Sequence, residues 1–167
     1  MKAAFLDRDG TIIRDYPDAL WASVSYPAFL PGAIDALKLL RRKGYHIIVV
    51  TNQYLIGEGL LSFEQYSTFS RRFEQALRLQ GLAVPDIFYC PHARGAGCAC
   101  CKPAPGLIHQ ALQMYPQIAL SASIVVGDST RDEGLAAAFS LDFYGIGFTP
   151  SRGRPVASLW EAAQLAP

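Results

Sequence analysis

Carboxylate side chains follow two apolar segments of this 167-residue chain, at the point where each segment ends. "FLDRDGT" brings Asp7 and Asp9, and "VVGDSTRD" brings Asp128 and Asp132. Either pair alone is compatible with ordinary structure, because Asp favours turns and caps helix N-termini. Carboxylates gathered at one place raise each other's pKa unless a cation lies among them. If the two segments meet, the pattern indicates a site for a hard divalent ion, Mg²⁺ before Ca²⁺.

Other polar residues favour phosphate chemistry at the same site. "VVTN" adds the hydroxyl of Thr51 and the amide of Asn52 after a third apolar segment, and Lys102 adds a positive charge. A metal ion and a lysine neutralise a phosphoryl group, while hydroxyl and amide donors hold its oxygens. A carboxylate can also attack phosphorus and form an aspartyl phosphate. These residue types predict phosphoryl chemistry.

The four cysteines lie together in "YCPHARGAGCACCKPAPG", from Tyr89 to Gly106, and His92 lies among them. In a reducing compartment, clustered cysteines are more often metal ligands than disulfides. Thiolates and an imidazole are the ligands that structural Zn²⁺ takes. A disulfide and free buried cysteines are the alternatives. Neither of them explains why a histidine and four cysteines crowd one Gly-rich loop.

Short apolar segments alternate along the chain with segments of helical period. Strands are predicted at "KAAFL", "YHIIVVT", "IFYC", "SIVVGD" and "FYGIGF", and helices at 31–44, 62–81, 106–114 and 131–139. Strands that are apolar throughout and separated by helices predict a parallel sheet covered on both faces. Ligands bind beyond the carboxyl ends of such strands, so the polar clusters should meet there. Segment 12–30 has no clear period and is predicted to form a flap over that edge.

Local patterns add detail to this architecture. Ser62 and Gln65 have capping-box spacing at the start of the second helix. The aromatic residues of that helix, Phe63, Phe69 and Phe73, are predicted to face the core. The stretch "PSRGRP" is predicted to be a solvated turn that carries Arg152 and Arg154, and Arg8 and Arg131 are expected at the mouth of the site.

Composition excludes several classes of function. Hydrophobic residues make up 51% of the chain and charged residues 17%, as in a globular domain. The formal charge is +1 and the basic residues form no run, so nucleic-acid binding and attachment to an acidic membrane surface have no electrostatic support. The first apolar run is too short for a signal peptide. We expect one domain over 1–167 in a soluble cytoplasmic protein, as a monomer or weak dimer.

In their types and order, these residues resemble the haloacid dehalogenase superfamily of phosphohydrolases. "DRDGT" resembles its first motif, "VVTN" its second, Lys102 its third and "VVGDSTRD" its fourth, over about 3–148 of the chain. The resemblance implies a three-layer α/β Rossmann-like fold, with a central parallel sheet and helices on both faces. The spaces after the first and second motifs hold too few residues for a large cap domain.

The resemblance also implies a role for each motif residue. Asp7 would be the nucleophile, and Asp9 would protonate the leaving oxygen and then activate water. Thr51, Asn52 and Lys102 would bind the transferring phosphoryl group. Mg²⁺ would be held by Asp7, the main-chain carbonyl of Asp9, and Asp128. Asp132 would hold a metal-bound water or Lys102.

The cysteine-rich loop, about 89–106, resembles one branch of the superfamily, which contains D-glycero-D-manno-heptose 1,7-bisphosphate 7-phosphatases and histidinol-phosphate phosphatases. The matching zinc ligands here are Cys90, His92, Cys98 and Cys100. Four protein ligands leave no open position, so the zinc would be structural and would fold the loop that carries Lys102. Cys101 would remain as a free thiol.

Two departures from that branch concern the substrate. Cys101 stands where the heptose bisphosphatases have an arginine, and the loop Tyr54–Gly59 is bulkier and carries the negative Glu58. The resemblance implies a Mg²⁺-dependent phosphatase of a small phosphorylated metabolite, D-glycero-D-manno-heptose 1,7-bisphosphate at its C7 phosphate or a related sugar phosphate. Histidinol phosphate is the alternative substrate. A zinc-stapled phosphate-binding module without catalysis is the alternative of a different class.

Overall fold

A six-stranded parallel sheet forms the centre of the computed structural model, which describes residues 1–167. The strands are β1 (Lys2–Leu6), β2 (Tyr45–Asn52), β3 (Asp86–Cys90), β4 (Ile124–Gly127), β5 (Asp142–Ile146) and β6 (Arg154–Val156). They lie in the order β3-β2-β1-β4-β5-β6, and every neighbouring pair is parallel. The order reverses beside β1, so β1 has β2 on one side and β4 on the other. This reversal is where an open α/β sheet forms its ligand crevice.

Helices cover both faces of the sheet. They are α1 (Asp18–Trp21), α2 (Ala33–Arg42), α3 (Tyr54–Gly57), α4 (Phe63–Leu79), α5 (Gly106–Met114), α6 (Thr130–Ala138) and α7 (Leu159–Leu165), with one 3₁₀ turn at Leu120–Ala122. The core lies in two layers, because successive side chains of a strand point to opposite faces. Ala4 and Leu6 of β1 pack towards α2, α4 and α7. Ala3 and Phe5 pack towards α5 and α6. The predicted three-layer fold is confirmed.

The predicted strands and helices are present, with boundaries moved by a few residues. Ser62 and Gln65 form the predicted capping box of α4. The prediction of a solvated turn at "PSRGRP" is wrong in part. Arg154 belongs to the edge strand β6, and Arg152 lies in the bend before it. Phe63 is 61% exposed, so the prediction that it faces the core is wrong. At about 100° per residue it falls on the flank of the stripe that Phe69 and Phe73 centre.

The irregular segment 12–30 folds over the carboxyl edge of the sheet and is called the flap below. Ile13 pairs with both Asp9 and Phe29 through isolated bridges, which tie the ends of the flap to the loop after β1. The flap also docks on α4, where the Trp21 ring meets Phe69 edge-on at a centroid distance of 5.4 Å. Trp21 is buried, so packing against α4 holds the flap beside the crevice. No helix combines the length and apolar character that crossing a membrane requires.

Candidate active site

Three neighbouring strands bring the predicted site residues to one crevice. Asp7 follows β1, Thr51 lies at the end of β2, and Asp128 follows β4. The amide of Asp7 donates to the carbonyl of Val126 at 2.9 Å, which extends the β1–β4 pairing as far as the carboxylate. The crevice is a cavity of about 200 Å³. The residues that line it are Asp7, Asp9, Asp15, Trp21, Thr51, Asn52, Gln53, Tyr54, Leu55, Lys102, Asp128, Ser129, Arg131 and Asp132.

Lys102 is the central cation of this crevice. Its side chain is 3% exposed, and its Nζ lies 2.6 Å from Asp7 Oδ1 and 2.7 Å from Asp132 Oδ1. The third Nζ hydrogen bond, at 2.8 Å, goes to the carbonyl of Val50. All three ammonium donors are therefore used within the protein, as a buried charge requires. The predicted contact between Asp132 and Lys102 is present.

The backbone of Lys102 is held by the end of β2. Asn52 accepts from the amide of Lys102 at 2.9 Å and donates to its carbonyl at 3.2 Å. This paired contact fixes the lysine-bearing loop against the sheet. Asn52 lines the cavity but has this structural contact, so its role in binding a phosphoryl group stays a prediction.

The helix α6 positions Asp132 under the same lysine. At the start of this helix, Ser129 donates through its amide at 3.2 Å and its hydroxyl at 2.5 Å to Asp132 Oδ2. One carboxylate oxygen thus fixes the helix start, and the other receives the Lys102 ammonium. Asp132 is 1% exposed.

The charges in this crevice perturb one another strongly. Burial raises the pKa of Asp7 well above its ordinary value, against the lowering effect of Lys102. Burial disfavours the charged form of Lys102, but the carboxylates of Asp7 and Asp132 outweigh it and raise the Lys102 pKa. Burial, followed by the charge of Asp132, raises the pKa of Asp128 to about 6. One lysine does not compensate for three carboxylates, so the site favours a further cation.

Three carboxylates offer a place for that cation. One oxygen each from Asp7, Asp128 and Asp132 lies within 4.8 Å of the others. A Cβ at Gly10 would overlap the carboxylate of Asp128, so the glycine allows this carboxylate to approach the loop after β1. An all-oxygen set of anionic ligands suits Mg²⁺. The group confirms that Asp7 and Asp128 meet, while the carbonyl of Asp9 as a ligand stays a prediction.

Asp9 lies at the rim and accepts hydrogen bonds on both carboxylate oxygens. Arg8 donates through Nε to Oδ1 at 2.8 Å and through Nη2 to Oδ2 at 3.0 Å. Gln53 Nε2 donates to Oδ2 at 2.7 Å and to Thr51 Oγ1 at 2.9 Å. Gln53 was not assigned a role from the sequence. Its position directly after the VVTN strand end predicts that it lies in the polar cluster at this edge of the sheet, which the contacts with Asp9 and Thr51 confirm.

Arg8 does not lie at the mouth, so that prediction is wrong. Its side chain is 1% exposed, and the guanidinium carbon lies 5.2 Å from the ring centroid of Phe69 and 5.9 Å from that of Trp21. Aromatic faces stabilise the buried cation, which in turn fixes Asp9. Arg131 does line the cavity and is exposed, as expected.

The cysteine-rich loop brings the four predicted zinc ligands together. The Sγ atom of Cys90 lies 3.5 Å from that of Cys98 and 3.0 Å from that of Cys100. His92 Nδ1 lies 3.2 Å from Cys100 Sγ and 3.5 Å from Cys90 Sγ. All four ligand atoms lie within 4.8 Å of one another. Three thiols and one imidazole nitrogen at such spacings fit a closed tetrahedral zinc site.

Cys101 stays outside this group. Its Sγ contacts the carbonyl of Lys102 at 3.7 Å instead. Two glycines allow close packing around the metal-ligand loop: a Cβ at Gly57 would overlap the backbone of Ala93, and one at Gly106 would overlap the carbonyl of Ala99. The loop is therefore wedged between α3 and α5. Its geometry delivers Lys102 to the crevice.

Arg94 of this loop joins three segments at one side of the cavity mouth. Its Nε lies 2.7 Å from Glu58 Oε1, and its Nη2 lies 3.1 Å from Asp18 Oδ2 in the flap. The guanidinium stacks over the Tyr54 ring at 4.3 Å, and the Tyr54 hydroxyl donates to Asp18 at 2.9 Å. Glu58, expected to reverse the local charge, is thus paired with an arginine. The sequence offered no signal for this contact, because its members lie far apart along the chain.

Comparisons with known proteins agree with this site. The chain is 39% identical over 167 residues to the D-glycero-alpha-D-manno-heptose-1,7-bisphosphate 7-phosphatase of Mycobacterium bovis, covering 95% of this chain and 88% of the relative. It is 37% identical over 137 residues to the corresponding beta-heptose enzyme of Haemophilus influenzae, covering 78% and 73%. The crystal structure of D,D-heptose 1,7-bisphosphate phosphatase from B. bronchiseptica, complexed with magnesium and phosphate, matches with a TM-score of 0.85 and 29% identity over 98% of this chain and 97% of that one.

A family model agrees with the relatives and with the geometry. The model described as haloacid dehalogenase-like hydrolase matches residues 23–139, more than half of the chain. The first motif lies before the matched range, and the fold brings its Asp7 to the later motif residues through the β1–β2 and β1–β4 pairings and the contact with Lys102. The chain belongs to the haloacid dehalogenase-like hydrolases.

Proposed function

We propose that this protein is a Mg²⁺-dependent phosphatase that removes the C7 phosphate of D-glycero-D-manno-heptose 1,7-bisphosphate. The observation that carries the reaction class is the buried contact of Lys102 with Asp7 and Asp132 beside Asp128. The heptose substrate is supported by the names of the relatives. Mutually repelling charges in and beside a buried site are typical of catalytic sites, which favours an enzyme over a binding module that has lost catalysis.

Asp7 is the proposed nucleophile. Its carboxylate oxygen attacks phosphorus, the bond between phosphorus and the sugar oxygen breaks, and an aspartyl phosphate forms. Lys102 lies 2.6 Å from Asp7, so its ammonium is placed to bind an oxygen of the transferring group and stabilise the charge that develops on it. Bound Mg²⁺ would be held by Asp7 and Asp128 and would supply further neutralisation of the phosphoryl oxygens.

Asp9 is the proposed acid and base. It gives a proton to the departing sugar oxygen, then takes a proton from the water that attacks the aspartyl phosphate, which releases inorganic phosphate and restores Asp7. Both Asp9 oxygens accept hydrogen bonds here, so the acid role requires that the leaving oxygen replace the Gln53 or Arg8 contact. Thr51 accepts from Gln53 and keeps its hydroxyl hydrogen for a phosphoryl oxygen.

The cysteine-rich loop is the proposed structural zinc site. Cys90, His92, Cys98 and Cys100 would hold the ion, and none of them lines the catalytic cavity. Zinc there would order the loop and hold Lys102 in place.

The experiment that tests the proposed function is phosphate release by metal-replete protein with Mg²⁺. Both anomers of heptose 1,7-bisphosphate and histidinol phosphate are compared side by side, with Asp7→Asn as the control. We expect a heptose ester to have the highest kcat/KM, and Asp7→Asn to reduce turnover at least about 10³-fold while the fold and zinc content are kept. Preference for histidinol phosphate would replace the proposed substrate. No release from any ester tested would favour a phosphate-binding module.

A further inference from the structure

The proposed substrate carries two phosphates, and the reaction transfers only one of them. The remaining phosphate needs a partner of opposite charge at the cavity. This is demanding, because the side chains that line the cavity include five carboxylates, Asp7, Asp9, Asp15, Asp128 and Asp132. The cations that line it are Lys102 and Arg131. The inference below rests on the proposed function, since it concerns how the same site holds a bisphosphate.

Lys102 cannot serve the second phosphate. Its ammonium is buried and lies 2.6 Å from the carboxylate of Asp7, the proposed nucleophile. It therefore belongs to the phosphoryl group attacked by Asp7.

The neighbouring arginines are also committed. Arg8 is buried and donates twice to Asp9. Arg94 lies between Glu58 and Asp18, and two carboxylates more than neutralise its charge. Drawing Arg94 onto a phosphate would break both ion pairs and the stacking on Tyr54.

Arg131 differs from all three. It lies in the first turn of α6, its side chain is exposed, it lines the cavity, and it forms no salt bridge within the protein. It follows Asp128 by three residues, so it borders the carboxylate cluster on the α6 side. A planar guanidinium with free donors matches a phosphate in two parallel hydrogen bonds.

We propose that Arg131 binds the phosphate that is not transferred and so makes the site selective for a bisphosphate over a monophosphate. Arg131 acts by binding and orientation alone. The second phosphate reaches it while the first lies against Lys102 and Asp7, which sets the direction of the sugar between them. A monophosphate ester of the same sugar has no group for Arg131 to bind.

The test compares heptose 1,7-bisphosphate with heptose 7-phosphate in the wild type, Arg131→Gln, Arg131→Lys and Arg152→Gln. Arg152 is an exposed arginine that does not line the cavity, so its variant controls for the loss of one surface charge. For Arg131→Gln we expect KM for the bisphosphate to rise roughly 10- to 100-fold, the loss that removal of a charged hydrogen bond causes. We expect a change of less than about threefold for the monoester, which lacks that contact.

Each further outcome decides the inference. Partial recovery in Arg131→Lys, which keeps the charge and loses the paired donors, would support it. Equal losses for both esters in Arg131→Gln, or no loss for either, would overturn it while leaving the proposed function intact. If the wild type hydrolyses neither heptose ester, the proposed function fails and the inference falls with it. Thermal unfolding of each variant shows whether a loss comes from misfolding.

Discussion

Two clusters of metal-binding side chains lie at the same edge of the sheet, and they are built in opposite ways. The carboxylates Asp7, Asp128 and Asp132 come from strand ends and the start of one helix, and they repel one another around one lysine; Asp7 and Asp132 are buried and Asp128 is exposed. The proposed zinc ligands lie in the cysteine-rich loop, which has few apolar residues, so these ligands need a bound metal to stabilise the loop. The sheet and helix α6 hold the carboxylate cluster in place, whereas the Cys–His cluster is proposed to stabilise the loop that carries Lys102.

Lys102 connects these two designs. It follows the last predicted zinc ligand, Cys100, by two residues, and its ammonium reaches the carboxylate cluster. The carboxylates at the catalytic edge carry negative charge that a metal ion or another cation must balance, whereas the four ligands of the cysteine-rich loop would be satisfied by one zinc ion with no open position. Variants of the two clusters should therefore fail in different ways.

The largest effect is expected where the clusters meet. Lys102→Met leaves Asp7 and Asp132 buried without their cation, which should reduce the free energy of unfolding by about 3–5 kcal/mol. Phosphate release should fall at least about 10³-fold, since the phosphoryl group loses its ammonium. Urea unfolding and turnover measure the two losses, with Lys38→Met on α2 as the control for removal of a lysine. A stability loss below about 1 kcal/mol would show that the carboxylates do not depend on Lys102.

The loop should fail through its metal. Cys98→Ser is expected to lose bound zinc. The free energy of unfolding should fall by about 2–5 kcal/mol, the range that applies when a native disulfide is removed from a small domain. Its kcat should fall because Lys102 is no longer held. Cys101→Ser is the matched control one residue before Lys102, and it should keep zinc, stability and turnover. Elemental analysis, thermal unfolding and kinetics check this, and zinc retained in Cys98→Ser would reject the ligand assignment.

Repulsion within the carboxylate cluster should make the free energy of unfolding depend on pH. Asp128 has a folded-state pKa of about 6, above the ordinary 3.8, so the folded protein binds its proton more tightly than the unfolded chain. Without Mg²⁺, the contribution of Asp128 to stability should therefore fall as pH rises from about 4 to 6. Asp128→Asn should remove that part of the slope in urea unfolding. An identical slope in the variant would contradict the raised pKa.

The smallest effect is expected at the mouth. Arg94→Gln breaks the exposed ion pairs with Glu58 and Asp18 and so loosens the flap from the loop. Exposed pairs contribute little, so KM should rise a few-fold at most and kcat should stay near the wild-type value. Arg78→Gln, which breaks the exposed pair with Glu74 on α4, is the control. A large fall in kcat in Arg94→Gln would show that the flap takes part in the chemistry.

Periodicity and motif order predicted most of the fold and much of the site. The strand ends at Asp7, Thr51 and Asp128 were predictable because parallel strands bring their carboxyl ends to one edge. The edge strand β6 was not predictable, because three residues are too few to show a strand pattern. The exposure of Phe63 was not predictable either, because burial on the flank of a helix depends on which other elements pack beside it. The burial of Arg8 was also missed, because its aromatic surroundings come from Trp21, Tyr66 and Phe69.

The residue types and their order along the chain predict which groups can act here: the aspartates, the lysine and the Cys–His ligand set. The fold sets how the charges of those groups are balanced. It placed Lys102 within 2.7 Å of two carboxylates, joined Arg94 to Glu58 and Asp18, and left Arg131 without a salt bridge. Charge balance depends on distance and burial between residues far apart in the chain, and only the folded arrangement sets those.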